Sequence, residues 1–162
     1  MTLSHEYAVS LRIAAPRMIA AAHARVPIRS VPATFKRYLD QVYAAAKAGA
    51  VQLDGQNVFL YREIPGRPTE ADVAFGVGVT APFVAVGAVE PTSLPVGEVA
   101  TTTHWGSYAH LGAAHGAIVA WCGEHGRLRA GTFWEVYGHW SDDPALRRTD
   151  VYYLLGQAPG SP

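Results

Sequence analysis

The chain is poor in cysteine and has no excess of charge of either sign. Its 162 residues include one cysteine, Cys122, so no disulfide can close within it. Thirteen Lys and Arg residues balance thirteen Asp and Glu residues. A general nucleic-acid-binding surface needs a basic excess to neutralise phosphates, so direct nucleic-acid binding is not expected. No apolar run approaches the ~20 residues that cross a bilayer, so no membrane partner is expected. The first six residues lack the basic start and apolar run of a secretory signal. These absences predict a soluble, cytoplasmic protein. There is no Gly-x-Ser-x-Gly elbow for a nucleophilic serine. Gly76-x-Gly78 falls inside a strand pattern with no helix after it, so it is not a nucleotide fingerprint. No cofactor is expected. The tail from residue 156 onward is rich in Gly, Pro and Ser and is expected to fray.

What is present centres on Thr132-Phe133-Trp134-Glu135-Val136-Tyr137-Gly138-His139-Trp140. Aromatic and β-branched residues crowd this stretch, and Gly131 and a Ser-Asp-Asp-Pro turn bound it, so it reads as a strand. Strand side chains alternate, which puts Phe133, Glu135, Tyr137 and His139 on one side and Trp134, Val136 and Trp140 on the other. The acid among rings is either solvated, paired with Arg129 or Arg147, or set in a cleft.

Around that strand, residues 7–14 and 17–26 read as strands separated by Pro16. A helix follows, capped at Ser30 with Pro32 in its first turn and ending at Gly49. Its apolar positions are Phe35, Leu39, Val42, Tyr43 and Ala46. Residues 57–63, 70–79, 83–89 and 95–104 read as strands. Ser107 caps a second helix, which ends near Gly123 or Gly126, and residues 149–155 close the fold.

The order strand, strand, helix, strand, strand therefore occurs twice, with half-repeats at about 7–79 and 83–155. Tyr61 answers Tyr137 at an offset of 76 (137 − 61), and Val73 answers Val151 at 78 (151 − 73). The fold class predicted is α+β, one domain over 1–162 with a pseudo-twofold. A curved antiparallel sheet would carry two helices on one face and a ligand groove on the other. Val73, Phe75 and Val77 would pack under the first helix and Trp134 under the second. Phe59, Tyr61, Glu135 and Tyr137 would face the groove, with Ala74, Gly76 and Gly78 leaving room for a ligand. A one-residue register choice decides whether Tyr152 or Tyr153 joins them.

The stretch His104-Trp105-Gly106-Ser107-Tyr108, a helix, and then Trp134-Glu135-Val136-Tyr137 resembles the GyrI-like small-molecule-binding family. That family includes the effector domains of multidrug-responsive transcription activators. The resemblance covers almost the whole chain. It implies an aromatic-lined pocket with a glutamate at its floor, here Glu135, that attracts lipophilic cations. Some stand-alone members resemble hydrolases of cyclopropane-bearing natural products, with the same glutamate involved. The chain departs at its last strand, where Tyr152-Tyr153-Leu154-Leu155 replaces an Ile-Pro-like pair. No helix-turn-helix precedes Tyr7, so a complete transcription activator is not expected.

The expected ligand-binding residues are thus Glu135, Tyr137, Phe59, Tyr61 and Tyr152. The expected partner is a small molecule, and a protein partner such as a regulator rests on family analogy alone. If the chain is an enzyme, Glu135 activates water and Tyr137 protonates the opening ring, with His139 as a further proton donor. No metal is expected, because His110, His115, Cys122 and His125 offer no pair at i, i+4 on the second helix. His104 is expected to close its strand and orient the Gly106 turn. Gly112 and Gly116 are expected to permit close helix packing.

Overall fold

The computed structural model describes residues 7–157. The frayed tail expected beyond residue 157 lies outside the described residues. Eight strands and two α-helices form in the order β1 (Ser10–Ala14), β2 (Met18–Pro27), α1 (Val31–Lys47), β3 (Leu53–Ile64), β4 (Arg67–Val79), β5 (Val89–Ser93), β6 (Gly97–Trp105), α2 (Leu111–Glu124), β7 (Arg129–Tyr137) and β8 (Arg148–Leu155). The doubled strand-strand-helix-strand-strand order is present, and every pairing within the units is antiparallel.

Two compact units result, residues 16–95 and residues 1–15 with 96–162. The first holds the strand order β3-β4-β2-β5 and the second β1-β6-β8-β7. Each takes its edge strand from the other half of the sequence, since β1 pairs with β6 and β5 with β2. The edge position explains why β5 tolerates Pro91, which could not donate to a central ladder.

Several boundaries move. The strand expected at 83–89 is irregular, with an isolated Val86–Val89 bridge, and β5 begins only at Val89. Pro91 sits within that strand. Between β3 and β4, Gly66 at φ 77° makes a tight turn, and Arg67 and Pro68 already belong to β4. Ser107 caps a short 3-10 turn, Tyr108–His110, that leads into α2, accepting from the Ala109 N–H. β7 stops at Tyr137, so His139 and Trp140 are exposed outside the strand.

In the first unit the core lies under α1. Phe35 of α1 tilts against Phe59 (5.6 Å between centroids), and Tyr38 stacks on Phe75 (5.1 Å). Phe59 lies opposite Phe75 and Tyr61 opposite Val73, so all four share the α1 side. The placement of Val73 and Phe75 is as expected, but Phe59 and Tyr61 are on the helix side and not on the helix-free side. The register between β3 and β4 fixes this, because cross-strand partners must share a face. Nor do the two strand glycines leave room for a ligand. A Cβ on Gly76 would meet Ile19 Cδ1 at 2.7 Å and the Ala20 carbonyl at 3.0 Å. One on Gly78 would strike the Arg17–Asp54 ion pair.

In the second unit α2 buries Leu111, Ala114, Ala117, Ile118 and Cys122. Gly112 and Gly116 do not serve close packing, since a Cβ on either would meet nothing within 4 Å. Phe133 stacks on Tyr153 (4.8 Å) and Trp134 on Tyr152 (5.4 Å), on opposite sides of the same sheet.

Candidate functional site

The buried polar residues of the described chain are Thr102, His104, Glu135 and Thr149. All four belong to the second unit. Burying such groups is costly unless partners compensate them, so their concentration needs a cause. Pairing shows that they share a face. Thr102 and Glu135 both lie opposite Val151, while His104 and Tyr137 both lie opposite Thr149. It is the face that α2 covers, because His115 of α2 reaches Glu135.

The first unit shows what this face is without polar groups. Tyr61 pairs with Val73 as Tyr137 pairs with Thr149, so the offset of 76 holds through both hairpins and Val73 answers Thr149. Phe59 then stands where Glu135 does. Likewise Ala22 and Ala24, opposite Phe75 and Val73, stand where Thr102 and His104 do. Each buried polar residue of the second unit thus replaces an apolar one in the first.

Glu135 is 5% exposed. Its Oε1 accepts from the Tyr137 hydroxyl at 2.6 Å, and its Oε2 lies 2.7 Å from Nε2 of His115. Nδ1 of His115 lies 2.7 Å from the Tyr153 hydroxyl. An ionised carboxylate can only accept, so facing one, Nε2 carries the hydrogen; the Tyr153 hydroxyl can donate to or accept from Nδ1. Hydrogen bonds to a charged acceptor are about twice as strong as neutral ones, which makes burial of this acid tolerable. Aromatic rings close the surroundings. Phe133 and Tyr153 each meet His115 edge-on at 5.6 Å. Tyr108 meets Tyr137 edge-on at 5.5 Å and leans on Trp140 (6.1 Å), over which the Arg147 guanidinium lies at 3.8 Å.

His104 does close its strand. Nε2 lies 2.9 Å from the Ser107 carbonyl, and Nδ1 lies 2.8 Å from the Tyr7 hydroxyl. Thr102 donates to the Ala8 carbonyl. The Thr149 hydroxyl, fully buried between Tyr137 and His104, has no hydrogen-bond partner among the described residues.

The structure therefore brings Glu135 and Tyr137 together, on the helix side. Both were expected on the helix-free side. Tyr152 lies on the other side of the sheet with Trp134, which does not pack under α2. That helix-free side holds an open groove of about 610 Å3, lined by Arg12, Thr101, Thr103, Arg148, Asp150 and Tyr152 among others. Arg148 in that lining is paired with Asp150 at 3.0 Å. Phe59 and Tyr61 belong to the other compact unit. His115 was missed as a partner of Glu135. Its one signal in the sequence is an imidazole set between small and apolar helix residues, and its partner is 20 residues away. His125 instead stacks on Trp121 at 4.2 Å. Among the described residues no group of three His, Cys, Asp or Glu is placed to hold a metal ion, and no helix is long and apolar enough to cross a membrane.

Residues 8–155 match the profile of the GyrI-like small molecule binding domain. No curated protein matches the chain in sequence. Among solved structures, the C-terminal domain of EcmrR is 20% identical with a TM-score of 0.73, over 94% of this chain and 99% of that one. The chain spans 58% of EcmrR as seen in its DNA complex. SAV2435 bound to tetraphenylphosphonium is 10% identical with a TM-score of 0.68, over 92% and 94%. A hydrolase from Listeria innocua is 10% identical with a TM-score of 0.59, over 91% of each chain. At these identities the likeness shows the fold.

Proposed function

The chain belongs to the GyrI-like family of small-molecule-binding domains, and from that premise we propose that it holds lipophilic, often cationic, ligands against Glu135. One observation carries the reading, a buried carboxylate held by His115 and Tyr137 among aromatic rings, where the first unit has Phe59. A carboxylate kept from water attracts a cation strongly, and each well-placed ring adds about 0.5–2 kcal/mol. Binding of tetraphenylphosphonium by SAV2435, which shares the fold, supports the choice of ligand class. Tyr137 and Tyr108 supply rings beside the acid, and the unpartnered Thr149 hydroxyl supplies a buried polar contact. Equilibrium dialysis with tetraphenylphosphonium tests this. Glu135→Gln should weaken binding about tenfold or more. Equal affinity in parent and variant would remove Glu135 from the reading.

A second reading is favoured by the continuous chain Tyr153–His115–Glu135–Tyr137, which can relay a proton. Here the protein hydrolyses electrophilic, cyclopropane-bearing molecules. Glu135 takes a proton from water as its oxygen bonds to the strained ring carbon. The carbon–carbon bond breaks, and Tyr137 protonates the group that receives the electrons. Two Listeria innocua structures of this fold are described as hydrolases. Incubation with a cyclopropane-bearing alkylator and product analysis would decide, and the absence of a water adduct would leave binding alone.

A further inference from the structure

Glu135 does not wait bare for a cation. Its Oε2 already faces Nε2 of His115 at 2.7 Å, and the two side chains are only 7% and 19% exposed. We propose that His115 sets the charge selectivity of the Glu135 site, acting as an internal cation that competes with a cationic ligand. This rests on the reading of Glu135 as the ligand-binding acid, and it names how that acid is controlled.

The two states of the ring differ by one charge in a place where solvent screens poorly. With His115 neutral, the pair carries one negative charge, and a lipophilic monocation gains from it. With His115 protonated, the pair is neutral, and the same monocation gains little. A neutral ligand of similar shape is indifferent to the change. Imidazole is the side chain that most readily exchanges one charge state for the other.

The partner on the far side of the ring suits this role. The Tyr153 hydroxyl can donate or accept. When His115 is neutral, Tyr153 donates to Nδ1. When His115 is protonated, Nδ1–H donates to the Tyr153 oxygen. Nε2 donates to Glu135 in both states, so adding the proton breaks neither contact. A backbone carbonyl at Nδ1 would instead demand a hydrogen there and turn the lone pair of a neutral ring toward Glu135.

Other charged groups near this face are compensated or held by other contacts. On β7 these are Tyr137, hydrogen-bonded to Glu135, and Arg129, whose charge acts on Cys122 of α2 together with that of Arg127. On β6, Glu98 is paired with Arg127, and His104 is held by Tyr7 and Ser107. The His115 side chain is 19% exposed, and Gly112, its i−3 neighbour on α2, leaves open space where a side chain would stand.

The test is calorimetry of tetraphenylphosphonium binding to the full chain, whose ligand charge does not change with pH. Affinity should be higher at alkaline than at acidic pH by roughly tenfold, within the usual range of coupling between two sites. Buffers of different ionisation enthalpy should reveal protons released on binding near the midpoint. His115→Gln keeps an N–H for Glu135 but takes no charge, so its affinity should be high and flat with pH. Tyr153→Phe, a milder change, removes the acceptor of the Nδ1 proton and should move the loss of affinity to lower pH. If His115→Gln and Tyr153→Phe both keep the parental pH profile, His115 does not set selectivity, although Glu135 can still bind the cation. If the parent binds no tetraphenylphosphonium at either pH, both this inference and the ligand reading fall.

Discussion

Tyr137 and Glu135, two residues apart on β7, are joined by a hydrogen bond of 2.6 Å from the phenol to the carboxylate. Residues at i and i+2 share a face of a strand, so the contact is a local consequence of the alternation. It uses one of the two oxygens that a ligand would seek. Tyr137→Phe keeps the ring and removes this one hydrogen bond from Oε1. It should cost about 1.5–3 kcal/mol of stability, the range for a hydrogen bond to a charged group. It should also tighten binding of lipophilic cations, because the acid becomes less compensated. Denaturant melts and dialysis on the same variant measure both. A variant that loses stability and binds cations more weakly would mean that the phenol itself contacts the ligand.

Thr149 gives a second prediction, of opposite sign. Its hydroxyl is fully buried and unpartnered, and such a group costs about 1–3 kcal/mol. The counterpart in the first unit is Val73, which has the same shape without the oxygen. Thr149→Val should therefore raise the denaturation midpoint. Function retained at a cost to stability is a mark of a working site. If the hydroxyl serves a ligand, the same variant binds less tightly. No gain in stability would show that the hydroxyl is satisfied in solution, by water for example.

The element order was legible because its signals are local. Periodicity, prolines and capping residues found both helices and seven of the eight strands. Pairing was not legible. Nothing within residues 7–14 says that β1 will join β6, some 90 residues on, and not the strand that follows it. The alternation on β7 was read correctly, since Phe133, Glu135 and Tyr137 do share a side. Which side α2 covers was not, because that depends on contacts between elements. Phe59 shows the same limit, as only its register with Phe75 puts it under α1. His115 is illegible for a related reason. No ligand stands at i, i+4 from it on α2, and its partners stand on β7 and β8.

The alkaline limit of stability follows from two groups. Burial pushes the Cys122 thiol above its ordinary range, with Arg129 and Arg127 opposing. Partial burial, with the Asp54 carboxylate, pushes Tyr43 up as well. Both gain negative charge on losing a proton. A raised value in the folded state means the stability is complete below the unfolded value and is lost as pH rises through the folded one. Stability should thus be insensitive to these groups below about pH 8.5, the ordinary thiol value, and fall above it. Cys122→Ala should flatten the first part of the fall and Tyr43→Phe the later part. Urea midpoints across alkaline pH check this, and an unchanged slope in both variants would assign the loss elsewhere.

Gly112 and Gly116 pose the sharpest conflict between folding and use. Both lie within α2, where glycine costs about 1 kcal/mol relative to alanine. Neither is required by geometry, since neither has a left-handed φ and a Cβ on either meets open space. Alanine at each position should therefore stabilise the fold by about 0.4–1 kcal/mol. Residues 112 and 116, one turn apart, lie along the same side of His115, with 112 its i−3 neighbour on the helix surface, and neither carries a side chain there. If that bareness admits the ligand, the double alanine variant will melt higher and bind bulky cations less well, while small cations are unaffected. Thermal melts and dialysis with cations of graded size separate the two effects. Higher stability with unchanged binding at every size would mean that the ligand approaches from elsewhere. A loss of stability would mean that α2 packs more tightly at these positions than the open space beside them implies.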